Sequence, residues 1–425
     1  MKSKFIMASV LIVLVSILYA CSNGAATDTV TIESEIITYV ESNGNLMAVQ
    51  LQTPVKPRYV LKNEAPIIVM TPTFFTPTSR FEDDTWAVDS GFVQVSLMLP
   101  GKTASGYAGV ASEGTNDYGG AASVDALKDV TLFALGEIPD RDGKYITDHI
   151  PFASTDNVGM YAFSHPGILA TNTLAFYSTE LAGVQYFVGR ENPTIDKLSS
   201  VEVGHWDDYK PAFNVIYKYP AHYSSTDLTV DYTNIQHGEE GIYFDHNEDL
   251  TFNTGDFLLG DRVPEMFGKK YYSEDLIAAL STSESVQNDG WPPYLADLTE
   301  VQDAWSTRET VDNYGELNSN LKVMLVFAKE DHVQPALDKP HIHQAYDGFT
   351  SAGLWVRLNP DANYIQKIVG SATYTDVAAN TEPADWADIV DWAHSSDIKG
   401  ADHASAAAIS EMADRVEAGD WSDDL

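Results

Sequence analysis

Asn157-Val158-Gly159-Met160-Tyr161-Ala162-Phe163-Ser164-His165-Pro166-Gly167 is the stretch that decides how this chain is read. The segment from Val158 to Phe163 carries no polar side chain apart from the Tyr161 hydroxyl, as expected of a short strand buried on both faces. It ends abruptly at Ser164. A Ser-His-Pro-Gly turn follows, and residues 168–181 then carry helical spacing. Pro166 suits the first turn of that helix, where its missing N–H has no intrahelical partner. Ser164 therefore stands at a strand-to-helix corner. A serine there can simply cap a helix, or it can present its hydroxyl for chemistry.

The neighbouring sequence alternates strands and helices. Residues 29–40 and 45–53 are rich in Val, Ile and Thr, with Ser42-Asn43-Gly44 as the turn between them. Residues 65–75 and 91–99 are further apolar runs. A helix is expected over 121–135, after Gly119-Gly120, and a strand over 183–189. From about 200 to 300 this alternation is lost, and Asp, Asn, Gly and aromatic residues accumulate. A helix resumes over 298–311, followed by a strand at 321–327, a helix at 337–350, a strand at 353–358 and a helix at 386–394. Alternation at this spacing predicts a mostly parallel sheet with helices on both faces. The expected domains are a core over 29–199, an inserted cap over 200–300, the second part of the core over 301–395, and an acidic tail or helix over 396–425.

The corner at Ser164 resembles the nucleophile elbow of α/β-hydrolases, G-x-S-x-G. Ala162 holds the first Gly place and Pro166 the second, with Gly167 just after it. The stretch Ala328-Lys329-Glu330-Asp331-His332-Val333-Gln334-Pro335 resembles the acid turn of the same superfamily, and Asp331 follows Ser164 in the chain order Ser, Asp, His. The Gly-rich run 112–120 and the turn Asp140-Arg141-Asp142-Gly143 are similar to stretches in prolyl-oligopeptidase-like hydrolases. The resemblance covers roughly residues 30–190 and 320–365, and its core is of prolyl-oligopeptidase-like or dienelactone-hydrolase-like type. It implies a nucleophile at Ser164, an orienting acid at Asp331, and oxyanion donors at the backbone N–H groups of His165 and of Thr73 or Phe74.

The chain departs from the pattern at the base. After the last core strand it reads Arg357-Leu358-Asn359-Pro360-Asp361-Ala362-Asn363-Tyr364. An amide at Asn363 cannot act as a general base near neutral pH. Downstream of Asp331 stand His332, His341, His343, His394 and His403. His332 adjoins Asp331, and His341 and His343 open a helix expected on the surface. The base is unassigned on sequence, with His403 as the candidate, in a tail able to fold back over the site. The implied activity is that of a serine hydrolase, esterase or peptidase, forming an acyl-enzyme on a small-molecule or peptide substrate. The absent His and altered elbow glycine leave a second reading, an inactive binding module on the same fold.

Residues 1–20 read as a signal peptide, with Lys2 and Lys4 ahead of an apolar stretch from Phe5 to Ala20 that is short for a membrane span. Leu18-Tyr19-Ala20-Cys21 resembles a bacterial lipobox. Cys21 is the only cysteine, so no internal disulfide explains it. Lipidation at Cys21 followed by a flexible tether over 21–28 is expected, which puts the protein on the periplasmic or extracellular face of a membrane. Asp and Glu total 62 against 25 Lys and Arg, a formal net charge of −37. That surface repels phosphate backbones, so no nucleic-acid partner is expected. The run from Asp245 to Asp256 alternates oxygen side chains, but Leu250 stands where a calcium loop of the EF-hand type needs Gly. No metal and no cofactor are expected.

Overall fold

The structure is a computed structural model. It describes residues 32–75, 80–81, 85–197, 202, 205–207, 210–212, 232–245, 247–253, 256–260, 263–327, 339–369, 377–384, 386 and 398–422. One sheet of eight strands runs through it. The strands are β1 (Ile32–Ser42), β2 (Asn45–Pro54), β3 (Ala65–Met70), β4 (Val93–Leu97), β5 (Ala153–Phe163), β6 (Val184–Arg190), β7 (Lys322–Val326) and β8 (Trp355–Leu358). Their spatial order is β1-β2-β4-β3-β5-β6-β7-β8. β2 pairs antiparallel with β1 and with β4, and every other neighbouring pair is parallel. This is the α/β-hydrolase sheet that the sequence pattern predicts.

The strands are buried on both faces because their apolar residues alternate between two cores. Ile67, Val69, Val158, Met160, Ala162, Val323 and Leu325 pack on one side, with the helices Ala121–Ala134, Pro166–Phe176 and Pro340–Ser351. Ile68, Met70, Tyr161, Val188, Met324 and Val326 pack on the other, with Ala404, Ala407, Ala408, Ile409 and Met412 of the C-terminal helix Ile398–Ala418. The β1–β2 turn places Asn43 and Gly44 at φ 50° and 76°. Positive φ at both central residues is what a two-residue hairpin requires.

Two expectations are corrected here. The helix after Ser164 runs Pro166–Phe176, starting earlier and ending sooner than the spacing implied. The helix Pro340–Ser351 is not a surface helix: His341 and Ile342 are buried, because the helix covers the sheet. The helix expected over 386–394 lies outside the described residues beyond Trp386.

Between β6 and β7 a second apolar cluster forms. It joins Ile235, Ile242 and Phe244 of short hairpin strands to Leu276, Ile277, Leu280, Val301 and Trp305 of the helices Glu274–Thr282 and Leu298–Ser306. Ile168 of the helix after Ser164 is also a member, so this cluster sits directly on the helix that leaves the corner.

Candidate active site

Ser164 occupies the corner between β5 and the helix Pro166–Phe176 with φ 61°. A left-handed conformation is unfavourable for a residue with a Cβ and persists only where surrounding contacts impose it. Those contacts are explicit. Ser164 N–H donates to Arg190 O at 2.8 Å, and Gly167 N–H donates to Ser164 O at 2.9 Å. Asn192, just past β6, donates its side-chain amide to Ser164 O (2.8 Å), Arg190 O (3.0 Å) and Ala162 O (3.2 Å). A Cβ on Gly167 would lie 2.1 Å from Asn192 Cγ, and one on Gly189 2.3 Å from Asn192 Oδ1. Gly167 is thus the glycine the elbow needs, one place later than the usual motif because Pro166 takes the first helical position. Sequence reasoning missed Asn192; its only signal is an amide standing three residues after Gly189.

The loop after β3 approaches the same corner. The Phe75 ring meets the His165 ring edge-on, with centroids 4.5 Å apart. Among the described residues no group accepts from the N–H of Thr73 or of Phe74. Phe74 is fully buried, whereas Thr73 is exposed, so the N–H of Thr73 is the one a ligand can reach. Phe74 rests on Gly119, where a Cβ would come within 2.9 Å of the ring. Arg308 holds that Gly-rich turn. It donates to Tyr118 O (2.9 Å), Asp117 O (2.7 Å) and Ala304 O (2.5 Å). In the short hairpin of residues 265–270, Phe267 stacks edge-on to Tyr118 at 4.8 Å.

Asp331, His332 and His394 lie outside the described residues, as does Cys21. The strand preceding Asp331, β7, runs parallel to β6 and ends where Glu191 N–H donates to Val326 O at 2.9 Å. The chain therefore leaves β7 at the same end of the sheet as Ser164.

The described histidines separate clearly. His341 Nδ1 accepts from Thr194 N–H (3.2 Å), and its Nε2 lies 3.0 Å from Lys197 O. Burial pushes it down to about 4, so it is a neutral structural imidazole. His343 stacks on Trp386 at 4.6 Å and pairs with Asp347 at 3.5 Å. His403 is half-buried on the C-terminal helix. Its neighbours reach the strand ends beside the elbow: Ser405 Oγ lies 2.8 Å from Tyr161 OH, and Asp402 acts on Arg190, which also bonds Tyr161. The place after β8 is taken by another device. Buried Arg357 faces Glu411 at 3.4 Å, and Asp361 N–H donates to Glu411 Oε2 at 2.6 Å.

The acidic run from Asp245 to Asp256 bonds within itself. Asp245 accepts from Asp249 N–H (3.2 Å) and Leu250 N–H (2.8 Å), and Leu250 itself sits at φ 63°. Burial works to raise the Asp140 carboxyl. Bonds from Thr38, Lys144 N–H, His149 and Asp142 N–H outweigh it and hold the group below the usual range. Among the described residues no group of three or more His, Cys, Asp or Glu is placed to hold a metal ion, and no helix is long and apolar enough to cross a membrane.

No protein-family profile matches the chain, and no curated protein matches it in sequence. Solved structures similar to it include the Pyrococcus horikoshii acylaminoacyl peptidase, with 11% identity over 78% of this chain and 37% of that one and a TM-score of 0.38. An esterase of Rhizomucor miehei shows 11% identity over 77% and 75%, with a TM-score of 0.36. Prolyl oligopeptidase B from Galerina marginata shows 9% identity over 90% and 37%, with a TM-score of 0.40. The chain thus spans little more than a third of either of these peptidases. The strand order and the corner after β5 define an α/β-hydrolase-fold protein.

Proposed function

We propose that the chain is a serine hydrolase of ester or amide bonds, anchored at the cell envelope through a lipid on Cys21. The observation that carries this reading is a serine held at φ 61° on a strand-to-helix corner, beside a loop whose exposed Thr73 has an N–H with no acceptor among the described residues. In this reading Ser164 Oγ attacks the carbonyl carbon while a histidine takes its proton. The carbonyl oxygen, now negative, is held by the N–H of His165 and the N–H of Thr73. The histidine then protonates the leaving group, and water releases the acyl group from Ser164 by the reverse proton path. We assign the base to His403, supported by the contacts of Asp402 and Ser405 with the strand ends at Arg190 and Tyr161. Asp331 is its orienting acid. The cluster of residues 235–305 acts as the lid that selects the substrate.

A fluorophosphonate adds once per chain to the wild type and not at all to Ser164→Ala, while the melting temperature stays close to wild type. An adduct that persists in Ser164→Ala overturns the assignment. A second reading, a binding module without catalysis, is favoured by the stretch 359–364 after β8, which holds no histidine and ties Asp361 N–H to Glu411 instead. It predicts a wild type that never labels. The anchor is tested separately: Cys21→Ala moves the protein from the membrane fraction to the soluble one, and a wild type that is already soluble overturns that part.

A further inference from the structure

The loop between β2 and β3 turns its apolar side chains to solvent. Leu61 keeps its whole surface exposed (103%), Val60 keeps 64% and Val55 42%. Single exposed hydrophobes are ordinary, but these three share one short loop, and the loop is stiff. Tyr59 and Glu64 exchange both backbone bonds, at 3.0 and 3.3 Å. Lys62 N–H donates to Tyr59 O (3.0 Å) and Asn63 N–H to Val60 O (3.2 Å), with Asn63 at φ 56°. The base is pinned as well. Arg58 donates to Asp414 at 2.7 and 2.6 Å and to Ser410 Oγ at 3.0 Å, and its backbone N–H donates to Gly91 O at 3.0 Å. Neither Val60 nor Leu61 joins an apolar cluster of the fold. The pair at the tip must therefore be explained by what it meets.

The place of the loop identifies that partner. Pro54, at the end of β2, pairs with Ile32, at the start of β1. Ala65 N–H, at the start of β3, donates to Phe152 O, beside the start of β5. The loop thus lies at the end of the sheet where the chain arrives from Cys21. Leu61 stands at most about 25 Å along the chain from Pro54, and Cys21 at most about 40 Å from Ile32. A lipid on Cys21 keeps a bilayer within reach of the tip. The charge fits too. Residues 55–63 hold Lys56, Arg58 and Lys62 and no acid, in a chain with 62 acids against 25 bases. The acids that the C-terminal helix brings to the loop are offset, Asp414 by Arg58 and Glu417 by Lys62. We propose that Val60 and Leu61 insert into the lipid surface that holds Cys21, with Lys56 and Lys62 at the level of the phosphate groups. Apolar side chains flanked by lysines suit the boundary between headgroups and acyl chains. A flexible tether alone lets the body swing; the tip adds a second point of contact. The inference rests on the lipidation of Cys21.

The test puts a fluorescent probe at the tip. Lipid on the Cys21 sulfur leaves Leu61→Cys with a single free thiol, since the chain has no other cysteine. Leu250→Cys, at an exposed residue of the acidic run, serves as control. Both are labelled with a nitrobenzoxadiazole dye and bound to vesicles of phosphatidylethanolamine and phosphatidylglycerol. The probe at position 61 is expected to brighten at least twofold and to be quenched by spin-labelled lipid, and the probe at position 250 to do neither. In unlabelled wild type, amide exchange at Val60 and Leu61 is expected to slow at least fivefold on vesicles relative to Cys21→Ala in solution. A chain that floats with the vesicles while the probe at 61 stays dim overturns the tip contact and leaves the anchor standing. Brightening with unchanged exchange is insertion by the dye itself and overturns the contact too. A wild type that carries no lipid overturns the anchor and, with it, the bilayer as the partner. Brightening without vesicles that grows with protein concentration assigns the tip to a second copy and overturns the lipid contact.

Discussion

At the scale of single residues, the corner was readable and its support was not. A run of apolar residues meeting Ser-His-Pro-Gly announces a turn between a strand and a helix. Which residue imposes the left-handed turn is a matter of three dimensions, since Asn192 reaches back across 28 positions to Ser164 O. No local pattern in the sequence marks that bond. The strain itself is measurable. Ser164→Gly and Ser164→Ala both lose the hydroxyl, but only Ala keeps the Cβ that disfavours φ 61°. The Gly variant should be the more stable of the two, by about 1 kcal/mol, in thermal or urea unfolding. An Ala variant that is equally or more stable would mean that the corner stores no strain.

At the scale of elements, strands were easier to read than the helices that cover them. Strands buried on both faces leave unbroken apolar runs, as in β3 and β7. The C-terminal helix Ile398–Ala418 buries Ala404, Ala407, Ala408 and Ala413 against the sheet, and alanine gives little contrast between a buried and an exposed face. Its sequence reads as an acidic tail or helix, and small side chains are what let it lie close on β5 and β6. Buried carboxyls sit where the second apolar cluster meets the rest of the chain. Burial raises Glu202 to about 7, and Tyr232 OH and Ser273 bond it. Burial, with Asp196 beside it, raises Glu309 to about 7 as well. A carboxyl raised in the folded state contributes stability that is complete below its unfolded value, near 4.5, and is lost as pH rises through its folded one. The cluster of residues 235–305 should therefore loosen between pH 4.5 and 7, seen as faster proteolysis within it. Glu309→Gln should flatten part of that slope at fixed salt. An identical slope in the variant would place the titration elsewhere.

At the scale of the molecule, charge dominates. Sixty-two acids against 25 bases leave a folded surface that repels itself. Screening shortens the reach of that repulsion from about 30 Å at 0.01 M salt to about 8 Å at 0.15 M. The melting temperature should climb as NaCl is raised from near zero and then level off. A flat curve would show the charges to be too widely spaced to interact.

The direction of β1 has a consequence for how the molecule stands. β1 opposes β2 and β2 opposes β4, so β1 points the same way as the parallel strands. It begins at Ile32, at the end of the sheet opposite the one from which β5 delivers Ser164. The chain from Cys21 to Ile32 extends at most about 40 Å. A molecule moored by that leash would turn its strand beginnings toward the lipid and its mouth toward the aqueous phase. Its substrates would then arrive dissolved in water and not from within the bilayer, and a water-soluble ester should be cleaved equally well whether the protein is moored on a vesicle or cut loose from it.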